Sequence, residues 1–186
     1  MSANPTSNFR RSVWIAWLWV LLWLGVIAIE STNYLSSANT GRFLYPPLHF
    51  LFGVDPVRFL TWHFLLRKGG HVFGYGMLSW LLFRALRVTA LSSRDPNWSM
   101  AWSLLAVAGT AFVASMDEWH QSFLPSRTGT IHDVLLDTTA ALVIQILVFL
   151  LVQVRKKRAS AVPADGPDPV SPSDQSSNDK LTTHFR

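Results

Sequence analysis

Apolar and polar positions fall in long blocks along this chain. Four blocks are apolar enough to form long hydrophobic helices. The first, Val13–Ile29, reads "VWIAWLWVLLWLGVIAI" and carries no charge, with Trp near both ends. Gly69–Leu86, Trp98–Met116 and Ile131–Val154 are the other three. A bilayer span takes roughly 20 mostly apolar residues to cross a hydrocarbon core of about 30 Å. Any one block would also suit a buried helix of a soluble protein. Four of them in 186 residues favour the membrane. The predicted fold class is all-α: a polytopic membrane protein with four transmembrane helices.

The connections refine that outline. "YPPLHFLFGVDPVRFLTWHFLLRK", Tyr45–Lys68, holds a helix start, with Asp55 as N-cap and Pro56 at the first helical position. Val57–Leu66 is then nearly all apolar but too short to span, which predicts a short interfacial or re-entrant helix in the first outer connection, carrying Trp62 and His63. After Arg158 the composition turns to Pro, Ser, Asp and Ala, too poor in bulky apolar residues to offset chain entropy. Three regions follow: a cytoplasmic N-terminus over 1–12, a membrane domain over 13–154, and a basic, then disordered, tail over 155–186. A signal-peptide reading, with "SSA" ending at Ala38 as the cleavage site, is weaker than an uncleaved first span. The apolar run is long, Trp-rich and ends well before Ala38.

Composition agrees with the membrane reading. Apolar residues make up 49%, charged residues 15%, and there are nine Trp. The absence of cysteine excludes disulfides and thiolate chemistry. The net charge of +5 does not point to nucleic acid, because the basic residues flank apolar runs and interleave with no aromatic patch. Their distribution sets an orientation instead. Arg10, Arg11, Arg84, Arg87, Arg94 and Arg155–Arg158 fall on one side. Arg42, Arg58, Arg67, Lys68 and Arg127 fall on the other, mixed with acids. By the positive-inside rule both termini are cytoplasmic and the protein sits in the cell (plasma) membrane. The outer connections are then Glu30–Lys68 and Asp117–Thr130.

That topology gathers the ionisable groups at one membrane face. "MDEWHQSFLPSRTGTIHDVLLDT", Met116–Thr138, contains Asp117, Glu118, His120, Arg127, His132, Asp133 and Asp137. Lys68, His71, Tyr75 and Ser79 lie at i, i+3, i+7 and i+11, one polar stripe on the second span. Asp117, His120 and Gln121 share a face if the third helix continues past Met116, and Asp133 and Asp137 are i and i+4 on the fourth. Asp137 lies about 9 Å inside its helix at roughly 1.5 Å per residue. A lone carboxylate there needs a cation, a polar cavity or a raised pKa. Lys68, Arg127 and His71 are the available partners, and Asp133 and Asp137 can also share a proton. Thr130 suits an N-cap. Pro125 ends the third helix region, Gly129 supplies a flexible turn, and Gly70 and Gly74 form a GxxxG pair on span two. Glu118 points away from Asp117 on a helix and is expected to be solvated. His49, His63 and His184 are expected outside the site.

These blocks carry a resemblance. "DEWHQSFLPSRTGTIHDVLLDT", Asp117–Thr138, resembles the signature of the VanZ-like membrane proteins: D-E-x-H-Q, a loop with P-x-R-x-G, then D-x-x-x-D-T opening the last helix. "HFLLRKGGHVFGY", His63–Tyr75, resembles that family's R-K-x-x-H-x-x-x-Y block. The resemblance covers about Val13–Val154. It departs at Gly74, where many relatives are acidic, and at Ser126, where many have Gly. It implies a role for Arg67, Lys68, His71, Tyr75, Asp117, Glu118, His120, Gln121, Arg127, Asp133 and Asp137. It also implies a link to glycopeptide (teicoplanin) resistance, but no defined reaction.

Two functional readings stand side by side. In the first, a site at the outer face binds or processes an envelope lipid, or an anionic, lipid-linked cell-wall ligand. His71, Asp117, His120 and Asp137 are the catalytic candidates, acting as acids and bases. Arg67, Lys68, Tyr75, Gln121, Arg127 and Asp133 are the ligand-binding candidates. In the second, the cluster is structural and only holds the helices together, through pairs such as Asp117–Arg127 and Asp137–Lys68. No Ser-centred triad or phosphate-loop glycine motif is present. A third and weaker reading is a metal site on His71, His120, Asp117 and Asp137: the ligand types suit a divalent metal, but the spacing matches no dedicated motif such as HExxH, so no metal and no cofactor are expected. A proton or ion pathway is disfavoured, because the charges gather at one face.

Overall fold

The computed structural model describes residues 5–90, 99–125, 127 and 129–160. The predicted tail after Ser160, with His184, lies outside the described residues, as do Arg94 and Trp98. All regular structure among the described residues is helical: α1 (Pro5–Glu30), a 3-10 turn (Asn33–Leu35), α2 (Ser37–Phe52), α3 (Pro56–Ala90), α4 (Met100–Gln121) and α5 (Ile131–Ser160). Two compact units divide the chain, 1–152 and 153–186. The described part of the second is the helical end of α5 with its basic run Arg155–Arg158.

Three helices are long and apolar enough to cross a membrane: Asn8–Glu30, Met100–Gln121 and Ile131–Arg158. Their burial is inverted relative to a soluble bundle. Trp14, Leu18, Trp19, Leu22, Leu104, Phe112, Ile146 and Leu150 are exposed, whereas Ser103, Thr110, Ala106, Ala114 and Ala141 are buried. Small and polar residues inside, with large apolar residues outside, is how helices pack when the solvent is as greasy as leucine.

α3 departs most from the prediction. Val57–Leu66 is not a separate short helix but the first third of one 35-residue helix. Asp55 does cap it, accepting from Val57 N–H at 3.0 Å and Arg58 N–H at 3.3 Å. Nothing between Leu66 and Val72 stops it. Gly69 and Gly70 lower helix propensity by only about 1 kcal/mol each and leave every N–H in place. At 1.5 Å per residue α3 is about 50 Å long, well beyond a hydrocarbon core of about 30 Å.

The short helix of the first connection is instead α2, which the sequence pattern hid. Ser36 caps it through Asn39 N–H, and Gly53, at φ 61°, ends it in the left-handed region that suits glycine. Pro46 and Pro47 lie inside α2, where each removes a donor from the helix ladder. α4 starts at Met100 and runs on through Gln121, so its last turn carries Asp117, Glu118 and His120. It stops four residues before Pro125, which therefore does not end it.

Side-chain bonds fix the directions. Trp17 Nε1 donates to Thr89 Oγ1 at 3.0 Å and Trp23 Nε1 to the Gly74 carbonyl at 2.8 Å, so α1 and α3 run antiparallel. α3 and α4 are antiparallel as well: Tyr75 meets Asp117, and Gly109 sits against Leu82. α4 and α5 are antiparallel through Glu118–Thr130 and Ser103–Gln145. α3 and α5 approach closely at Gly76, where a Cβ would lie 3.0 Å from Ile144 Cγ1. Gly70 and Gly74 are not close-approach positions, since a Cβ at either would meet open space.

Candidate functional site

The polar stripe of α3 finds a partner at every step. Lys68 Nζ pairs with Asp133 Oδ1. His71 Nδ1 lies 3.3 Å from Asp137 Oδ2. Tyr75 donates its hydroxyl to Asp117 Oδ2 at 2.9 Å, and Gln121 Nε2 donates to the same oxygen at 2.8 Å. Ser79 Oγ accepts from Gln145 Nε2 at 2.9 Å, while Gln145 Oε1 accepts from Ser103 Oγ. One face of α3 is thereby tied to α4 and α5 from Lys68 to Ser79. Gln145 and Ser103 were not singled out from the sequence; a buried Gln between apolar neighbours was the available signal.

The pairings differ from the ion pairs considered for a structural cluster. Asp137 is joined to His71 and not to Lys68, because Lys68 lies one turn nearer the helix start, opposite Asp133. Asp117 is held by Tyr75 and Gln121, not by Arg127. Arg127 Nη2 donates to the carbonyl of Glu30, the last residue of α1, and to that of Thr32 just beyond it, the latter at 3.0 Å. Arg67 Nη1 donates to the Leu35 carbonyl at 2.9 Å.

Glu118 corrects the expectation of a solvated side chain. It is 5% exposed, and its Oε2 accepts the Thr130 N–H at 2.8 Å. The α4–α5 connection folds back over the last turn of α4, and Gly129 permits it. A Cβ at Gly129 would collide with the Glu118 carbonyl. Thr130 caps α5 as expected, with Oγ1 3.3 Å from the Asp133 N–H. His120 turns out of the cluster. It is exposed, and its Nδ1 lies 3.2 Å from Ser31 Oγ of the α1 end. Asp117 and Gln121, four apart, face α3, which leaves His120 on the α1 side.

A cavity of about 330 Å³ opens beside the stripe. Arg67, Arg127, Glu30, His63 and His71 line it, together with apolar residues of α2 and α3. Burial lowers the Arg127 guanidinium from its ordinary value, and the nearby Arg67 charge lowers it further. Burial lowers Arg67 as well, countered by Glu30 and Asp133. Arg127 Nε is buried without a partner. A smaller cavity, about 20 Å³, touches His71, Tyr75, Asp117 and Gln121. A larger one, about 720 Å³ between α3 and α5, is apolar and contains none of these ionisable groups.

Two separated sequence blocks thus fold into one polar end of the bundle, and the family comparison covers both. The VanZ/LLP1 family model matches residues 14–153. The chain belongs to the VanZ/LLP1 family. No curated protein and no solved structure matches it. In this VanZ/LLP1 chain the matched region runs from α1 into α5 and includes every residue of the polar cluster.

Proposed function

We propose that this VanZ-like membrane protein binds an anionic envelope lipid, or a lipid-linked cell-wall intermediate, through its headgroup at the extracytoplasmic end of the bundle. The observation that carries the reading is the pair of guanidinium groups, Arg67 and Arg127, lining one cavity with His71. Holding two half-buried like charges around one cavity is unfavourable, and a phosphate or carboxylate between them relieves it. The unpartnered Arg127 Nε suits such an acceptor. His71, backed by Asp137, is the acid–base candidate nearest the cavity; His120 faces elsewhere. The reading also takes α3 as a fourth span through Gly69–Leu86, because α3 lies antiparallel along both α1 and α4. Both termini are then cytoplasmic, in the plasma membrane, and teicoplanin sensitivity is the cellular phenotype to score.

Native mass spectrometry of the purified full chain in mixed lipid tests this. Anionic phospholipid should be retained over zwitterionic lipid, and Arg67→Gln and Arg127→Gln should each reduce retention by about tenfold or more. Equal retention of both lipid classes by the wild type would sink the reading. A structural reading is favoured by one fact: both arginines already donate to carbonyls at the end of α1 and the turn after it. Under it, the same variants lower the melting temperature and leave retention per folded molecule unchanged.

A further inference from the structure

Three side chains that no sequence spacing connects meet inside the bundle. His71 of α3, Glu118 of α4 and Asp137 of α5 each bring one donor atom within 4.8 Å of the other two. Asp137 is 0% exposed and Glu118 5%. Their hydrogen bonds account for only half of their oxygens. Glu118 Oε2 takes the Thr130 N–H, and Asp137 Oδ2 faces His71. Glu118 Oε1 and Asp137 Oδ1 are buried with no partner. The cations around them are engaged elsewhere: Lys68 with Asp133, and Arg127 Nη2 with backbone carbonyls. Two buried carboxylates, each with one oxygen unpartnered, are costly to maintain.

One spacing within the trio, His71 to Asp137, is compatible with a shared ion. A charge-assisted N–H···O bond is ordinarily about 2.7–2.9 Å long. The His71–Asp137 separation of 3.3 Å is longer. Donor atoms held about 2.0–2.1 Å from one shared ion lie about 3.0–3.4 Å from each other. An imidazole with two carboxylates is a ligand set for zinc- or manganese-type ions, and two ionised carboxylates balance a 2+ charge.

We propose that His71, Glu118 and Asp137 form a binding site for one divalent transition-metal cation. Each ligand comes from a different helix, so the ion joins α3, α4 and α5 at one point. Three protein donors leave a coordination position for water or an anion oxygen. His71 also lines the arginine cavity, so the ion sits beside it. The site stands on the chain's own residues and does not depend on any lipid being bound.

The test uses the full-length protein in detergent, stripped with EDTA and titrated with Zn²⁺ and Mn²⁺. Bound metal per chain is read by elemental analysis, and the melting temperature is read alongside. The wild type should take up one equivalent and melt higher with metal. Glu118→Gln and Asp137→Asn should each weaken binding by more than about tenfold, the low end of what losing even an outer partner costs a metal site. His132→Gln, at an exposed histidine, should bind as the wild type does. Should a carboxamide variant fail to fold, wild-type stoichiometry and the visible absorption of a Co²⁺-loaded sample decide. A wild type that takes up no metal and shows no Co²⁺ band overturns the proposal. So does uptake unchanged in folded Glu118→Gln and Asp137→Asn, which would assign the metal to surface histidines.

Discussion

At the scale of single residues, the chain's chemistry depends on what covers each ionisable group. Glu118 shows this best. Helical spacing separates it correctly from Asp117, but spacing carries no information about the α4–α5 connection that closes over it. That closure depends on Gly129, whose α-carbon lies too close to the Glu118 carbonyl for any side chain. Gly129→Ala should therefore destabilise the protein by about 1–3 kcal/mol, the usual cost of forcing extra volume into a packed site. Thermal unfolding in detergent measures it, and an unchanged melting temperature would mean that the connection does not hold this position. Gly129 was legible as a turn glycine; its reason, close approach and not flexibility, was not. His120 was legible as a polar group near the site, yet only the packing of Asp117 and Gln121 against α3 shows that it faces α1.

Among the elements, α3 was the most legible and also the most misread. Its stripe of Lys68, His71, Tyr75 and Ser79 is plain in the sequence, and each member bonds to α4 or α5. Its partners on α5 were legible at Asp133 and Asp137 because carboxylates near a helix start are conspicuous. Gln145 was not, because one amide in an apolar run has no visible partner until the helices are assembled. The length of α3 was hidden by Gly69–Gly70, which reads as punctuation but keeps its backbone donors. α2 was hidden by Pro46–Pro47. The α2–α3 joint offers its own test. Thr40 donates its hydroxyl to the Ser36 carbonyl at 2.8 Å, so its oxygen accepts from His63 Nε2 at 2.9 Å. Burial, and then the Arg67 charge, lower the His63 pKa. The unfolded chain therefore binds the proton more readily than the folded one, and stability must fall as pH drops below about 6.5, levelling off below the folded value. His63→Gln should flatten that slope in melting curves taken from pH 7.5 to 5. An identical slope in the variant would remove His63 from the account.

For the whole molecule, the inverted pattern of small and polar residues inside, apolar outside, follows from lipid as solvent. The sequence showed the apolar blocks and the clustering of charge. Through the charge distribution it also predicted alternating spans that gather these groups at one face; it did not show which side chains pair where the ends of α1 and α4 meet the start of α5 and the His71 level of α3. The proposed site requires that end of the bundle to face outward, with α3 crossing. Since the chain has no cysteine, single cysteines report sidedness without background. The most direct measurement is labelling of Asn8→Cys, Tyr34→Cys, Met100→Cys and His132→Cys in intact cells with a membrane-impermeant maleimide. Tyr34→Cys and His132→Cys should label, and Asn8→Cys and Met100→Cys should label only after permeabilisation. Labelling of Met100→Cys together with Tyr34→Cys in intact cells would mean that α3 does not cross, and protection of Tyr34→Cys and His132→Cys would put the site on the cytoplasmic side; either result would contradict the account.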